Sequence, residues 1–494
     1  MRSSTSWAPR ARTDPQARRA AADARGRVGD EEGDRRAMTL TRRALVRGLG
    51  TGVLGAGALS ACGPGGGIRR GRPRATTTAP TAGALEVPDQ PLVIGQIGAS
   101  YGRMGRVEEA IAVAIDESRI DVNARWDGLF GRSVELLERH VMEAPGEDLA
   151  PVIAEMADAG ATCVITSIDE ESLIAAMPAL VEAQLAVLDV LTSGMDVRAA
   201  EVQTANLLVR LAPNDRVLAA RYAEQALGGG GDRSGPAGTV AYLSEDTLQG
   251  RSLLTELTQV LNPSSGRIVS EQFYEAGKIG DLEVRVKKVL EDPPALLVAN
   301  GGPELAPFLS ALHTATLDED DRPTVQFPRQ VPPWATIDYS REPVAEDLVP
   351  EALASTTGYQ PGGDLSVDHE NLMLNRSREF LRRGYAYSQQ GYDAVVMLCL
   401  AAQHALSVTG TDLAAALPAI LTGTEECTDF EQCRRIMATA LETGQRATVS
   451  YVGAMGALEL GGQSDARTGQ LREYAWSEAN ELEQPSATAF EAPE

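Results

Sequence analysis

Short apolar runs alternate with amphipathic stretches over most of this chain. LVIGQIG (92–98) has the continuous apolar character of a strand covered on both faces. GRVEEAIAVAIDES (105–118) then puts Val107, Ala110, Ile111, Ala114 and Ile115 on one face at helical spacing. SVELLE (133–138) predicts a strand, and 148–160 a helix stopped at Gly160. TCVITS (162–167) predicts the next strand. A helix follows, carrying Leu173, Ala176, Met177, Leu180 and Val181 on one side, and AVLDVLT (186–192) is a further strand.

The pattern then starts again. Residues 214–227 are helical, followed by the loop GGGGDRSG (228–235). Strands are predicted at 239–244, 267–274, 295–300 and 324–327, with helices at 249–261, 281–292 and 303–315. Such alternation produces parallel sheets with helices on both faces. Two successive sets, each of roughly 120 residues, predict an α/β protein of two similar lobes, each a doubly wound parallel sheet.

The ends differ from this middle. Arg42, Arg43 and Arg47 precede the apolar or small stretch 48–61, which is too short to span a bilayer and ends in Leu59-Ser60-Ala61-Cys62. This segment resembles a bacterial lipoprotein signal with its lipobox, and Thr41-Arg42-Arg43 resembles part of a twin-arginine export signal. The resemblance implies lipidation of Cys62 and work outside the cytoplasm, tethered to the cell membrane. Residues 1–37 are rich in Arg, Ala and Asp without an apolar period, so within the 1–62 signal region Met38 is the expected true start. Residues 63–90 read as a flexible tether and 477–494 as a disordered tail.

Composition narrows the partners. The chain has 494 residues and a formal net charge of -24, which disfavours nucleic acid and anionic lipid headgroups. No later apolar run of about 20 residues suggests a membrane span. Cys427 and Cys433 stand close together in EECTDFEQC, where a disulfide suits an oxidising compartment. A metal pair is the alternative, although no His lies nearby. Cys163 and Cys399 sit in apolar runs as core residues.

The segments from 91 to 476 together resemble a type I periplasmic solute-binding protein of the branched-chain amino acid binding kind. LVIGQIGASYGRMGRVEEAIAVAIDE is similar to the opening strand, glycine loop and long helix. DGLFGRSVELLERH, TCVITSIDEESLIAAMPALVEAQLAVLDVLTS, GYDAVVMLCLAAQHAL and YVGAMGALELGGQSDARTGQLREYAW resemble later segments in order, and ECTDFEQC resembles a short Cys loop. The resemblance implies lobe 1 at 91–212 with 352–448, and lobe 2 at 213–351 with 449–476. It further implies three crossovers forming a hinge, a ligand cleft between lobes, an ABC permease as partner, and neither cofactor nor chemistry. A ligand sensor of the same fold, coupled to a signalling partner, is the alternative.

Ligands of parallel sheets bind beyond the carboxyl ends of the strands. That rule selects Ser100, Tyr101, Ser167, Asp169, Ser172, Thr192 and Ser193 in the first set. In the second it selects Asp246, Thr247, Asn300, Gly301, Gly302 and Arg329. The resemblance places Ser172 on the serine that holds a ligand carboxylate, and Thr192-Ser193 on the segment that holds its ammonium. Helix capping and turn formation are the bland roles for the same residues. The lobe-2 segment QFPRQVPPW carries Arg329 where relatives often carry an acid, so Arg329 is expected to contact an anion. Asp169, Glu170 and Glu171 crowd the carboxylate loop with negative charge. The expected ligand is therefore a small amino-acid-like or carboxylate solute. An enzyme is the weakest reading: the four histidines have no metal spacing, and neither a nucleophile elbow nor a P-loop occurs.

Overall fold

The structure is a computed structural model describing residues 87–228, 233–332, 348–442, 446, 448–483 and 487–493. Cys62, the expected signal region and nearly all of the expected tether lie outside the described residues.

The first set builds β1 (Val93–Ala99), α1 (Glu108–Arg125), β2 (Glu135–Leu136), β3 (His140–Met142), α2 (Ala150–Asp158), β4 (Cys163–Ser167), α3 (Glu170–Glu182), β5 (Ala186–Asp189) and β6 (Leu208–Arg210). These strands form one parallel sheet in the order β2-β1-β4-β5-β6, with β3 continuing β2 along the same edge of β1. Every residue of β1, β4 and β5 is buried, which explains their unbroken apolar runs.

The second set builds α4 (Asp215–Leu227), β7 (Thr239–Glu245), α5 (Leu248–Leu261), β8 (Arg267–Tyr274), α6 (Leu282–Leu290), β9 (Leu296–Asn300), α7 (Leu305–Ala315), β10 (Arg329–Val331) and β11 (Thr356–Pro361). Its parallel strands run in the order β8-β7-β9-β10-β11, repeating the topology of the first sheet. In both sheets the strand order reverses beside the first strand, between β1 and β4 and between β7 and β9. Such switch points are where open α/β sheets hold ligands.

The chain next returns to lobe 1 through α8 (Val367–Arg376), α9 (Phe380–Arg383), α10 (Ser388–Ala405), α11 (Gly410–Ala416), β12 (Glu425–Cys427), α12 (Phe430–Glu442) and β13 (Val449–Gly453). α10 is buried almost all round and packs along α1. Its apolarity on every face marks a core helix. Among the described residues no single helix is long and apolar enough to cross a membrane. Cys427 and Cys433 form a disulfide joining β12 to α12, while Cys163 and Cys399 are buried free thiols.

β14 (Gly456–Ala457) turns back on β13 to complete a small sheet in the order β12-β13-β14, and the last pass into lobe 2 then adds β15 (Glu459–Leu460), β16 (Ala466–Trp476), β17 (Leu482–Glu483) and β18 (Ala487–Glu491). β16 pairs antiparallel with β11 and carries β15, β17 and β18 on its other edge. The first two crossovers therefore follow Arg210 and Pro361, and the third follows Ala457, where β14 ends its pairing with β13. The second and third fall later than the expected 351/352 and 448/449 boundaries, because β11 stays in the lobe-2 sheet and β13 pairs with β12.

Two further expectations change. The strand expected at 324–327 is instead β10 at Arg329–Val331. Thr324 N–H bonds back to the Thr316 carbonyl and Gln326 N–H to Ser234 Oγ, so this backbone is committed to loops. The tail expected to be disordered includes β17 and β18. Phe490 anchors it by packing over Gly469, where any side chain would collide with the ring.

Candidate functional site

Residues from the carboxyl ends of both sheets meet between the lobes. Asp215 N–H donates to the Ser193 carbonyl at 2.9 Å, and Met195 N–H donates to Ser252 Oγ at 2.9 Å.

On the lobe-1 side, Asp169 caps α3. It accepts from Ser172 N–H at 2.9 Å and from the Ser172 hydroxyl at 2.8 Å. The Tyr101 hydroxyl also donates to Asp169 and lies 3.3 Å from Ser172 Oγ. Burial, reinforced by the hydrogen bond to Asp169, pushes the Tyr101 phenol well above its usual range. The next residue, Glu170, is buried against Arg103 at 2.6 Å. Its other oxygen accepts from Ser193 N–H at 3.2 Å and Gly194 N–H at 3.3 Å. Thr192 donates through both its amide and its hydroxyl to Asp189. Burial pushes that carboxyl up to about 6, although Thr192 and Arg210 pull the other way. The donors expected to hold a ligand acid group are thus engaged by the chain's own carboxylates.

Ser100 and Ser167 stand apart from this cluster. The Ser100 hydroxyl bonds to the Met142 carbonyl at the sheet edge. Ser167 joins the partly buried Arg139–Glu108 ion pair.

The lobe-2 side is acidic. Glu245 ends β7 and accepts from Gly277 N–H at 3.0 Å. Burial and the nearby Glu304 raise its carboxyl above the ordinary range. Glu304 accepts from Tyr274 Oη at 2.8 Å and Gly302 N–H at 2.7 Å. Glu245 also lies within electrostatic reach of Arg103 across the lobes. Asn300 ends β9 and donates to Ser244 Oγ and Gln249 Oε1, both at 2.9 Å, while its own Oδ1 is buried without a partner among the described residues. Gln249 in turn donates to Asp215. Thr247 is the N-cap of α5, and Asp246 forms a surface pair with Arg251.

The structure therefore brings Tyr101, Ser172, Thr192, Ser193, Asn300 and Gly302 to the facing strand ends. Arg329 is not among them. It opens β10 in register with Leu297, near the start of β9, whereas Asn300 ends that strand. The shifted strand boundary puts it at the opposite end of the sheet from the cleft. The acids on the lobe-2 side are Glu245 and Glu304, which lie outside the QFPRQVPPW segment. Both were within reach of the strand-end rule: Glu245 follows TVAYLS directly, and Glu304 lies four positions after Asn300. Arg103, Glu170, Asp215 and Gln249 were missed because their partners are distant in sequence.

Two doubly wound lobes, crossed three times by the chain and meeting at their strand ends, constitute the type I periplasmic binding protein fold. Among solved structures of that fold, the chain is similar to the leucine-binding protein LivK of Thermotoga maritima MSB8. The TM-score is 0.57 at 13% identity, over 80% of this chain and 98% of that one. It is similar also to the branched-chain amino acid transporter substrate-binding protein LivJ of Streptococcus pneumoniae, solved with isoleucine, with a TM-score of 0.55 at 12% identity over 81% and 100%. A solute-binding protein of an ABC transporter from Rhodopseudomonas palustris HaA2, solved with p-hydroxybenzoic acid, gives 0.60 at 13% identity over 82% and 98%. No protein-family model and no curated protein matches the sequence.

Proposed function

We propose that this protein is the extracytoplasmic solute-binding component of an ABC importer. Lipid on Cys62 holds it to the cell membrane, and its cleft takes a small solute carrying an ammonium group. The observation that carries the ligand class is the pairing of Glu245 with Glu304 on the lobe-2 wall. Two neighbouring carboxylates favour a cation between them. The opposite wall offers little to a carboxylate, since Asp169 and Glu170 already engage Ser172, Ser193 and Gly194. Arg103 is the cation there, and its partner is Glu170. An amino-acid-like solute would place its ammonium on the acid pair and its remaining polar groups toward Tyr101 and Asn300. The solute-binding proteins of this fold named above support the importer role.

Calorimetric titration with amino acids, simple amines and ammonium-free acids tests the ligand class. Glu245→Gln is expected to weaken binding of the amine by roughly 10- to 100-fold, as loss of a charge-assisted contact does. An unchanged affinity in that variant for every amine that binds would sink the assignment. For the anchor, Cys62→Ala is expected to move the protein from the membrane to the soluble fraction. A wild-type protein without acyl mass would refute lipid attachment.

A further inference from the structure

Lobe 2 has a second concave site, at the amino ends of its strands and so away from the cleft. Arg329 is 5% exposed there. Its Nη1 donates to the Ala352 carbonyl at 2.6 Å, and its Nε has no partner among the described residues. Among the described residues no carboxylate pairs with it. Burial alone pulls its guanidinium down to about 10. A buried cation without a counter-charge is costly to the fold, and an anion beside it recovers much of that cost.

Arg329 lines a cavity of about 480 Å³, together with Gln225, Arg233, His313, Leu317, Val325 and Phe327. Among the described residues the one acid in its lining, Glu351, is exposed and forms no ion pair with either arginine. The Arg233 guanidinium donates to the Gln225 carbonyl at 2.5 Å. Burial and the charge of Arg329 lower the basicity of His313, whose ring lines the same cavity. The cavity thus combines a buried cation with apolar walls, at a size typical of small-molecule sites.

We propose that this cavity binds a small organic carboxylate, its acid group on Arg329 and its apolar body against Leu317, Val325 and Phe327. A bare inorganic anion would satisfy the guanidinium and leave the apolar walls unfilled, so an organic acid is the better fit. The site is separate from the cleft and does not depend on what the cleft binds.

Benzoate is a suitable probe, compared with chloride at equal ionic strength. Saturating benzoate is expected to raise the Tm of the wild-type protein by roughly 2 °C. Arg329→Gln should abolish that rise. Val325→Trp, which keeps Arg329 and fills the cavity, should abolish it too. Glu245→Gln, at the cleft, should keep it. In crystals soaked with 4-iodobenzoate the iodine peak should lie in this cavity. A Tm rise lost in Glu245→Gln but kept in Arg329→Gln would overturn the proposal. So would an iodine peak confined to the cleft, or no response in the wild type.

Discussion

Asp465→Ala should destabilise the protein by about 3–5 kcal/mol, the cost of breaking a buried ion network by removing one partner. Asp465 lies between two arginines that are themselves almost fully buried. Arg198 donates to it through Nη2 at 2.7 Å and Nε at 2.9 Å. Arg210 donates through Nε at 2.8 Å and also through Nη2, while its Nη1 reaches the Gly194 carbonyl at 2.6 Å. Arg210 ends β6 just before the first crossover, and Asp465 precedes β16, so the network fastens the two lobes beside the hinge. Without Asp465, both guanidinium groups would remain buried without their bonded carboxylate, left with the more distant charges of Asp189 and Asp215. Burial alone would raise the Asp465 carboxyl, but the bonds and charges of Arg210 and Arg198 outweigh it and hold the group below the ordinary carboxylate range. Its contribution is therefore present above the unfolded-state value near 4, and is lost as pH falls through the lower folded value. Urea unfolding near neutral pH measures the effect. A loss under about 1 kcal/mol would show that the network is not a structural fastening.

Asp393→Ala should cost about 3–4 kcal/mol through a different mechanism, the stranding of buried donors. Asp393 projects from α10 and is fully buried. It accepts from Tyr451 Oη at 2.8 Å, Ala454 N–H at 2.9 Å and Met455 N–H at 2.7 Å. The last two amides form the turn between β13 and β14, just before the third crossover. The carboxylate approaches that backbone so closely that a side chain at Gly453 would collide with it. Alanine would leave three donors unsatisfied and a small void. Amide hydrogen exchange separates this loss from general destabilisation. Protection should fall first at Ala454 and Met455, and unchanged protection there would refute the local account.

Much of the fold was legible because parallel strands covered on both faces leave long apolar runs, as in β1, β4, β7 and β9. What escaped notice was polar. β11 reads TTGYQP, and its buried Thr356 and Gln360 hide it from any hydrophobic count. The start of β10 depended on backbone bonds between 324–326 and residues far away, and a shift of a few positions carried Arg329 from one end of the sheet to the other. The site was legible in outline, since the strand-end rule reached Tyr101, Ser172, Thr192, Ser193 and Asn300. Its electrostatics were not. Glu170 looked like surplus negative charge in DEES, yet it is tied to Arg103 and to two amides beyond β5. Such pairings follow from the folded path and leave no local pattern.

β18 has a practical consequence for handling the molecule. By composition, residue 476 looks like a safe place to stop a shortened chain. Stopping there would remove Phe490 from Gly469 and strip β18 and β17 from β16. Eleven residues of β16 would then present much of one side as a bare row of amides and carbonyls, the template on which separate chains add to one another. A fragment trimmed at 476 should therefore self-associate, and oligomers formed by it would say nothing about the state of the intact protein.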